Sequence, residues 1–378
     1  MLVGRVISRD ITIGLAASAA ALSRISTQRV ILTRGRLLEG RAMKIDAVLH
    51  SKDLGDVAAE SARAERIGHD TVWVTEQGTD PFLQAHSAAL STSRVQVGTA
   101  ITVAFARSPM TTATSAWQLA AESGGRFILG LGSQVKAHIE RRYSMPWGKP
   151  VAQMRDYILA LQAIWRSWRS GEPLNYTGTY YHHTLSAPFW QPQLHDHRIP
   201  IWLAAVGPKM VELAGELCDG LLLHPFSNQA YEETVLLPAL RRGLSAAGRD
   251  LDSIEVSRSV FMVVGDNEGE SAARRDQARR QLAFYASTPA YRPVLDAVGL
   301  GELQPDLADL VRRQRWDVMP ELLDDDFLRH FAVVGTAEQM PELTRRHLPE
   351  FVGATAAYGG WPIDDGRLTT VLSAFHAQ

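Results

Sequence analysis

Short runs of β-branched and apolar residues alternate along this chain with longer stretches whose apolar positions recur at helical spacing. KIDAVLH (44–50) reads as a strand, and the amphipathic DVAAESARAERIG that follows closes on Gly68 as a helix stop. TVWVTE (71–76) and VQVGTAITVA (95–104) give the second and third strands. SPMTTATSAWQLAAESGG is a helix with Pro109 in its first turn and Gly124 and Gly125 at its exit, which makes RFILGLGS a fourth strand. PIWLAAVG, LLLHPF, IEVSRSVFMVVG (254–265) and FVGATAAYGG (351–360) supply the fifth to eighth, with MVELAGELCDG as the helix between the fifth and sixth. Such alternation calls for a parallel sheet covered by helices. Eight strand-helix units in about one domain's length favour an α/β fold of the (β/α)8 TIM-barrel type over a doubly wound sheet.

Two stretches break the rhythm. A helical region over 151–169 leads into NYTGTYYHHTLSAPFWQPQ, which alternates like a small hairpin and predicts an insertion near 170–195. The segment 290–330 has no clear strand and reads as a helical insertion, with Asp324 to Asp326 as a solvated helix edge or cap. Trp165 and Trp168 read as packing of the first insertion on the barrel, with Tyr180 facing the pocket wall.

Composition narrows the function classes. Of 378 residues, 46% are hydrophobic and 21% charged, the usage of a soluble globular protein, so disorder, collagen and coiled coil are set aside. A formal net charge of −2 offers no basic field for nucleic acid or an anionic membrane. The single cysteine, Cys218, leaves no partner for an internal disulfide or a cysteine-built metal site. ITIGLAASAAAL (11–22) imitates the apolar part of a secretory signal. The preceding Asp10 and the arginine-rich RVILTRGRLLEGRA instead predict an N-terminal extension over 1–42, disordered or the product of a misassigned start. A single catalytic domain, 43–378, then opens at Met43, and a cytoplasmic enzyme is expected.

In a barrel of this kind the reactive groups stand at the carboxyl ends of the strands. That filter selects His50, Glu76 and Gln77, the third-strand residues 99–102, Ser133 and Gln134, Val206 and Gly207, and His224. GLGSQ lacks the third glycine of a dinucleotide fingerprint and reads as a strand end where backbone approaches a flat ring and Ser133 and Gln134 donate hydrogen bonds. A helix beginning at Pro208 presents free backbone donors to an anion, with Lys209 adding charge, although an ordinary strand-to-helix turn has the same sequence. His195, Asp196 and His197, and the pair His182 and His183, do not have the spacing of ligands on one helix face, so no metal site is expected.

The order of TVWVTEQ, VGTAITVAFARSP, SGGRFILGLGSQ, PIWLAAVGPKMVELAGELCDGLL and a late VVGTAEQM resembles the bacterial luciferase-like monooxygenase superfamily, specifically its deazaflavin (coenzyme F-420) dependent branch. The resemblance spans nearly everything after Met43. It implies a (β/α)8 barrel with insertions, a homodimer, and hydride exchange between the deazaflavin and a small organic substrate, with no nucleic-acid or membrane partner. It also implies that Ala100 and Ile101 form a bulged, non-prolyl cis peptide behind the ring. Gln77, Ser133 and Gln134 would line the coenzyme, and Ala205, Val206 and Gly207 would bring backbone N–H groups to its phosphate.

Departures from that pattern matter as much. Sugar-phosphate dehydrogenases of the branch have an acid followed by histidine after strand two, where this chain has Glu76 and then Gln77; the acid they place after the glycine loop is Val135 here. Their mechanism therefore does not transfer, and an alcohol, carbonyl or activated alkene is expected in place of a sugar phosphate. Glu76, His224 and His50 are the candidate catalytic groups. Glu76 either handles a proton or accepts bonds from the coenzyme or a neighbouring loop, and each histidine is either a proton exchanger or a satisfied structural residue. Two rival functions remain open: an FMN-dependent monooxygenase on the same scaffold, and a non-catalytic flavin-binding barrel.

Overall fold

Asp53 and Gly68 bracket the first helix as the sequence requires. The Asp53 carboxylate accepts from the Gly55 and Asp56 N–H groups, and Gly68 takes a left-handed φ of 104° that ends Leu54–Ile67. The computed structural model describes residues 42–377, so the extension expected over 1–42 lies outside them except for Ala42. The strands in chain order are β1 (Lys44–Leu49), β2 (Thr71–Val74), β3 (Gln96–Thr99), β4 (Thr102–Val103), β5 (Phe127–Gly132), β6 (Tyr176–Thr177), β7 (His182–His183), β8 (Ile201–Ala205), β9 (Gly220–Leu223), β10 (Glu255–Val264), β11 (Ala332–Gly335) and β12 (Ala354–Tyr358). β1 pairs with β2 and β12, and the parallel ladder runs through β3, β5, β8 and β9 to β10, which pairs back to β12 and closes the ring. β3 and β4 are two pieces of the predicted third strand, parted at Ala100–Ile101. The result is a closed eight-stranded β/α barrel.

The two irregular stretches fold as their composition suggests. β6 and β7 form an antiparallel hairpin, with Tyr176 opposite His183. Between β10 and β11 the chain is helical, including Glu268–Ala286, Leu303–Arg312 and Asp325–Phe331, so the helical insertion begins well before residue 290. Asp324 caps the last of these by accepting from the Phe327 N–H. β11 was not anticipated; it pairs parallel with the later half of β10, Phe261 to Val264. The helix Pro81–Ser91, capped by Asp80, was also passed over, because its alanine-rich sequence has little polar-apolar contrast.

Register sorts the barrel interior. Val48 lies opposite Trp73, Trp73 opposite Gly98, Gly98 opposite Ile128, Trp202 opposite Gly220, and Leu222 opposite Ser257, so all of these share the inward face. Trp73 and Trp202 meet at 5.2 Å between ring centroids and pack with Ile128, Val48, Ala100 and Leu222. A Cβ on Gly98 would stand 2.2 Å from Trp73, and one on Gly220 2.1 Å from Trp202, so each indole occupies space that its neighbour strand vacates. Beside them Asp46 is buried and accepts from Trp73 Nε1 at 2.9 Å; burial pushes its carboxyl up to about 7, against the hydrogen bonds that favour its charged form. The same inward rows continue toward the strand ends with small residues: Ala100, Gly130 and Gly132, Ala204, Ser259 and Ala356. Beyond them the rows of β9, β10 and β12 carry the larger His224, Phe261 and Tyr358.

Candidate functional site

The third strand is kinked where the sequence predicts. The Ala100–Ile101 peptide is cis, and the chain then re-enters the sheet as β4 beside β5. The glycines of GLGSQ answer to this kink. A Cβ on Gly130 would lie 1.7 Å from the Thr99 carbonyl oxygen, and one on Gly132 would lie 2.8 Å from the Ile101 side chain. Thr99 completes the junction: its hydroxyl donates to the Gly130 carbonyl at 2.8 Å and accepts from the Gly130 N–H at 3.0 Å. These glycines admit backbone and side chain from the neighbouring strand. Ser133 and Gln134 follow on an exposed turn in which Gln134 has a φ of 57° and its side-chain oxygen accepts from the Val135 N–H.

Glu76 is placed by strand parity. With Trp73 inward, Thr75 continues the inward row and Glu76 turns toward the next strand's loop. Its carboxylate accepts from the Val103 N–H at 2.8 Å, from Arg107 Nη1 at 2.7 Å and from the Tyr143 hydroxyl at 2.9 Å. Arg107 also reaches Asp80 at 3.1 Å, linking the ends of the second and third strand regions. Of the two readings of Glu76, this geometry matches the carboxylate that holds a neighbouring loop. Arg107 and Tyr143 went unnoticed in the sequence, although Arg107 lies within the quoted VGTAITVAFARSP; an arginine one turn past a strand end is uninformative without its partner.

At the fifth strand end, Ala204 and Val206 face inward and Ala205 is buried on the other side. Gly207 is the N-cap of Pro208–Leu217 and no side chain among the described residues caps that helix; Pro208 has no N–H and the Met210 N–H donates to the Gly207 carbonyl at 3.2 Å, so Lys209 supplies the first-turn donor. Open space surrounds the position of a Gly207 Cβ, and the Tyr231 hydroxyl holds the Val206 carbonyl at 3.3 Å. Small inward residues at the mouth and an uncapped helix start at its rim fit a flat ring with an anionic tail. His50 and Gln77 sit on exposed loops at the ends of β1 and β2.

His224 continues the inward row of β9 and enters an aromatic wall. Its ring lies 4.9 Å from both Tyr285 and Tyr291, and Nδ1 accepts from the Phe226 N–H at 3.0 Å, which leaves the hydrogen of the neutral ring on Nε2. Burial pushes its pKa down to about 4. At neutral pH the ring is therefore uncharged, with Nε2 as its hydrogen-bond donor. Phe261 and Tyr358, inward at the ends of β10 and β12, meet at 4.6 Å. The Tyr285 and Tyr358 hydroxyls are 2.6 Å apart, and Gln281 Nε2 donates to Tyr358 at 2.9 Å. Burial holds the phenols of Tyr291 and Tyr358 well above their ordinary pKa. No sequence signal singled out this wall, because Tyr285 and Tyr291 come from the helical insertion.

Other candidates resolve as structure. His195 Nε2 bonds the Trp117 carbonyl at 3.0 Å, and the Tyr180 hydroxyl accepts from the Lys149 N–H at 3.2 Å. The Asp156 carboxylate gathers Tyr176, Tyr180 and Tyr181 from the hairpin. A hollow of about 940 Å³ lies at the opposite end of the barrel beside Ile201 and Asp219, where β8 and β9 begin. Arg198 there pairs with Asp219, and Arg249 is spent on the Gly215 and Cys218 carbonyls, so this hollow offers less free chemistry than the mouth.

The chain is a closed parallel β/α barrel with a kinked third strand, a fold in which functional groups stand at the strand C-termini. The luciferase-like monooxygenase family model matches residues 27–350, and the chain belongs to that family. It is 42% identical over 324 residues to the uncharacterized protein Rv1360 of Mycobacterium tuberculosis, covering 83% of this chain and 95% of that one. Its fold is similar to the coenzyme F-420 dependent tetrahydromethanopterin reductase of Methanopyrus kandleri, with a TM-score of 0.72, 21% identity and coverage of 88% and 98%. The FMN-bound oxygenating constituent of 3,6-diketocamphane monooxygenase from Pseudomonas putida superposes with a TM-score of 0.61 at 16% identity, covering 89% and 97%.

Proposed function

We propose that this protein is a coenzyme F-420 dependent oxidoreductase acting on a small alcohol, carbonyl or activated alkene. The observation that carries the reading is the kink at Ala100–Ile101, seated on Gly130 and Gly132 and facing an inward layer of glycine, alanine and serine. Ala100 and Ile101 would support the ring from behind, Gln77, Ser133 and Gln134 its edge and linker, and the backbone N–H groups of Ala205, Val206 and Gly207 its phosphate. When bound, the deazaflavin supplies hydride exchange at its ring carbon C5. The chain's own groups orient substrate, exclude water and donate hydrogen bonds: His224 from Nε2, and Glu76 indirectly by fixing the loop that follows β4 through Arg107 and Val103. His50, exposed at the end of β1, is the third catalytic candidate.

The test is a titration of the purified full chain with F-420 and, separately, with FMN. Saturable quenching of deazaflavin fluorescence, with FMN bound at least about tenfold more weakly, is the expected result. Tight FMN binding with oxygen consumption would move the protein to the monooxygenase reading, which the FMN-bound neighbour favours. Binding of either coenzyme with no turnover on a panel of alcohols and enones would favour the binding barrel, for which Gln77 and Val135 speak.

A further inference from the structure

The recess between β10, β12 and the inserted helix Glu268–Ala286 contains a hydrogen-bond chain with one hydrogen left over. Gln281 Nε2 donates to the Tyr358 oxygen at 2.9 Å, and one hydrogen passes between Tyr358 and Tyr285 at 2.6 Å. Two phenols carry two hydrogens, and their mutual bond uses one. If Tyr285 donates to Tyr358, the Tyr358 hydrogen is free; if Tyr358 donates, the Tyr285 hydrogen is. Neither arrangement satisfies both within the chain. Both residues are half-buried, and both touch inward-facing rings: Tyr358 lies 4.6 Å from Phe261, and Tyr285 lies 4.9 Å from His224.

The space beside this chain is small and mostly uncharged. A cavity of about 240 Å³ is lined by Phe261, Gln281, Tyr358, Gly359 and Gly360, with Arg274 as its one cationic side chain, near the Asp266 carboxylate; of the two phenols it is Tyr358 that lines the cavity, with Tyr285 bonded to it at 2.6 Å. That volume is below the roughly 300–1,000 Å³ of pockets that enclose drug-sized ligands. Aromatic faces suit a flat apolar body, and a lone donor among them suits one carbonyl oxygen.

We propose that the Tyr285–Tyr358 pair, held by Gln281, is the specificity device of this site and donates its spare hydrogen to the carbonyl oxygen of a small, flat, uncharged ketone or enone. The binding statement stands on the recess alone, and its meaning as substrate recognition rests on the oxidoreductase reading above.

The experiment is calorimetric titration of the full chain with cyclohex-2-enone and with its hydrocarbon counterpart 1-methylcyclohexene, with and without F-420. Tyr285→Phe, Tyr358→Phe and the double variant are compared; phenylalanine preserves the rings and their packing. Tyr285→Phe keeps the phenol that lines the cavity, so it is expected to bind the enone within about twofold of the parent, whereas Tyr358→Phe is expected to lose affinity as the double variant does. The double variant is expected to lose about five- to tenfold in enone affinity, the worth of one neutral hydrogen bond, with no change for the hydrocarbon. Equal binding of enone and hydrocarbon by the parent, or an unchanged double variant, overturns the proposal. So does tighter binding of cyclohexene-1-carboxylate that is lost in Arg274→Gln, which would assign the recess to an anion. Failure of the parent to bind F-420 would defeat the coenzyme reading while leaving the enone titrations without coenzyme to judge this one.

Discussion

The floor and the mouth of this barrel are made by the same strands with opposite choices of side-chain size. At the floor, Trp73 and Trp202 fill the space above Gly98 and Gly220, and Asp46 is buried beside them. Two or four residues further along the same inward rows stand Ala204, Gly130, Ser259 and Ala356. Large residues low in a closed ring exclude water and hold the strands together, and small ones above leave volume for a ligand. Stability and binding are therefore expected to come apart when the two layers are mutated.

The largest effect is expected at the floor. Trp202→Ala should cost about 3–5 kcal/mol through lost burial and the cavity left behind, read as a lower thermal midpoint, while coenzyme affinity of the folded fraction stays within a few-fold of the parent. Next comes the mouth, with the reverse pattern. Ala204→Phe or Ala356→Phe should abolish measurable coenzyme binding at the smaller stability cost of about 1–3 kcal/mol, the range for inserting volume beside packed neighbours. If those substitutions leave F-420 titrations intact, the ring lies elsewhere. Glu76→Gln follows at about 2 kcal/mol: Arg107 and Glu76 are only 17% and 5% exposed, but Arg107 keeps Asp80 as a partner, so the loss falls short of that for an isolated buried pair.

The smallest effect is a pH signature that separates the layers. Asp46 at the floor is raised from 3.8 to about 7, so the folded protein holds a proton that the unfolded chain has released; its contribution is complete below pH 3.8 and is lost as pH rises through 7. His224 at the mouth is lowered from 6.5 to about 4, so its contribution is complete above pH 6.5 and is lost as pH falls through 4. The trends oppose each other between pH 4 and 6.5. Asp46→Asn removes the first, and its thermal midpoint should climb more steeply with pH over that window; His224→Asn should flatten the climb. An Asp46→Asn profile parallel to the parent would show that the floor carboxyl does not titrate as its burial implies.

Much of this was legible before any coordinates. The eight barrel strands, the Gly68 stop and the helix start at Gly207 follow from local periodicity and turn chemistry, which act over a few residues, whereas the third-strand kink was implied only by the family resemblance. The roles of the strand-end groups were harder. Glu76 occupies the expected strand end, yet parity counted from Trp73 turns it away from the mouth, a deduction available from the sequence once one inward residue is known. Its partners Arg107 and Tyr143 lie 31 and 67 residues away, and no local signal connects them. The 268–331 helices show why the rest stayed hidden: helical periodicity locates them, but not the fact that Tyr285 meets Tyr358 across 73 residues.

By itself, then, the order of residues determined the alternation of strand and helix, the closure into a barrel and the glycines required where β3 and β4 press on β5. These depend on φ/ψ preference, side-chain period and backbone clearance. Only the tertiary structure decided which strand-end groups meet. It gave Glu76 to Arg107, enclosed His224 among tyrosines and so removed its charge, and left one phenolic hydrogen in the recess at the ends of β10 and β12. Hydrogen-bond reach and desolvation depend on distances across the ring, which no stretch of sequence contains.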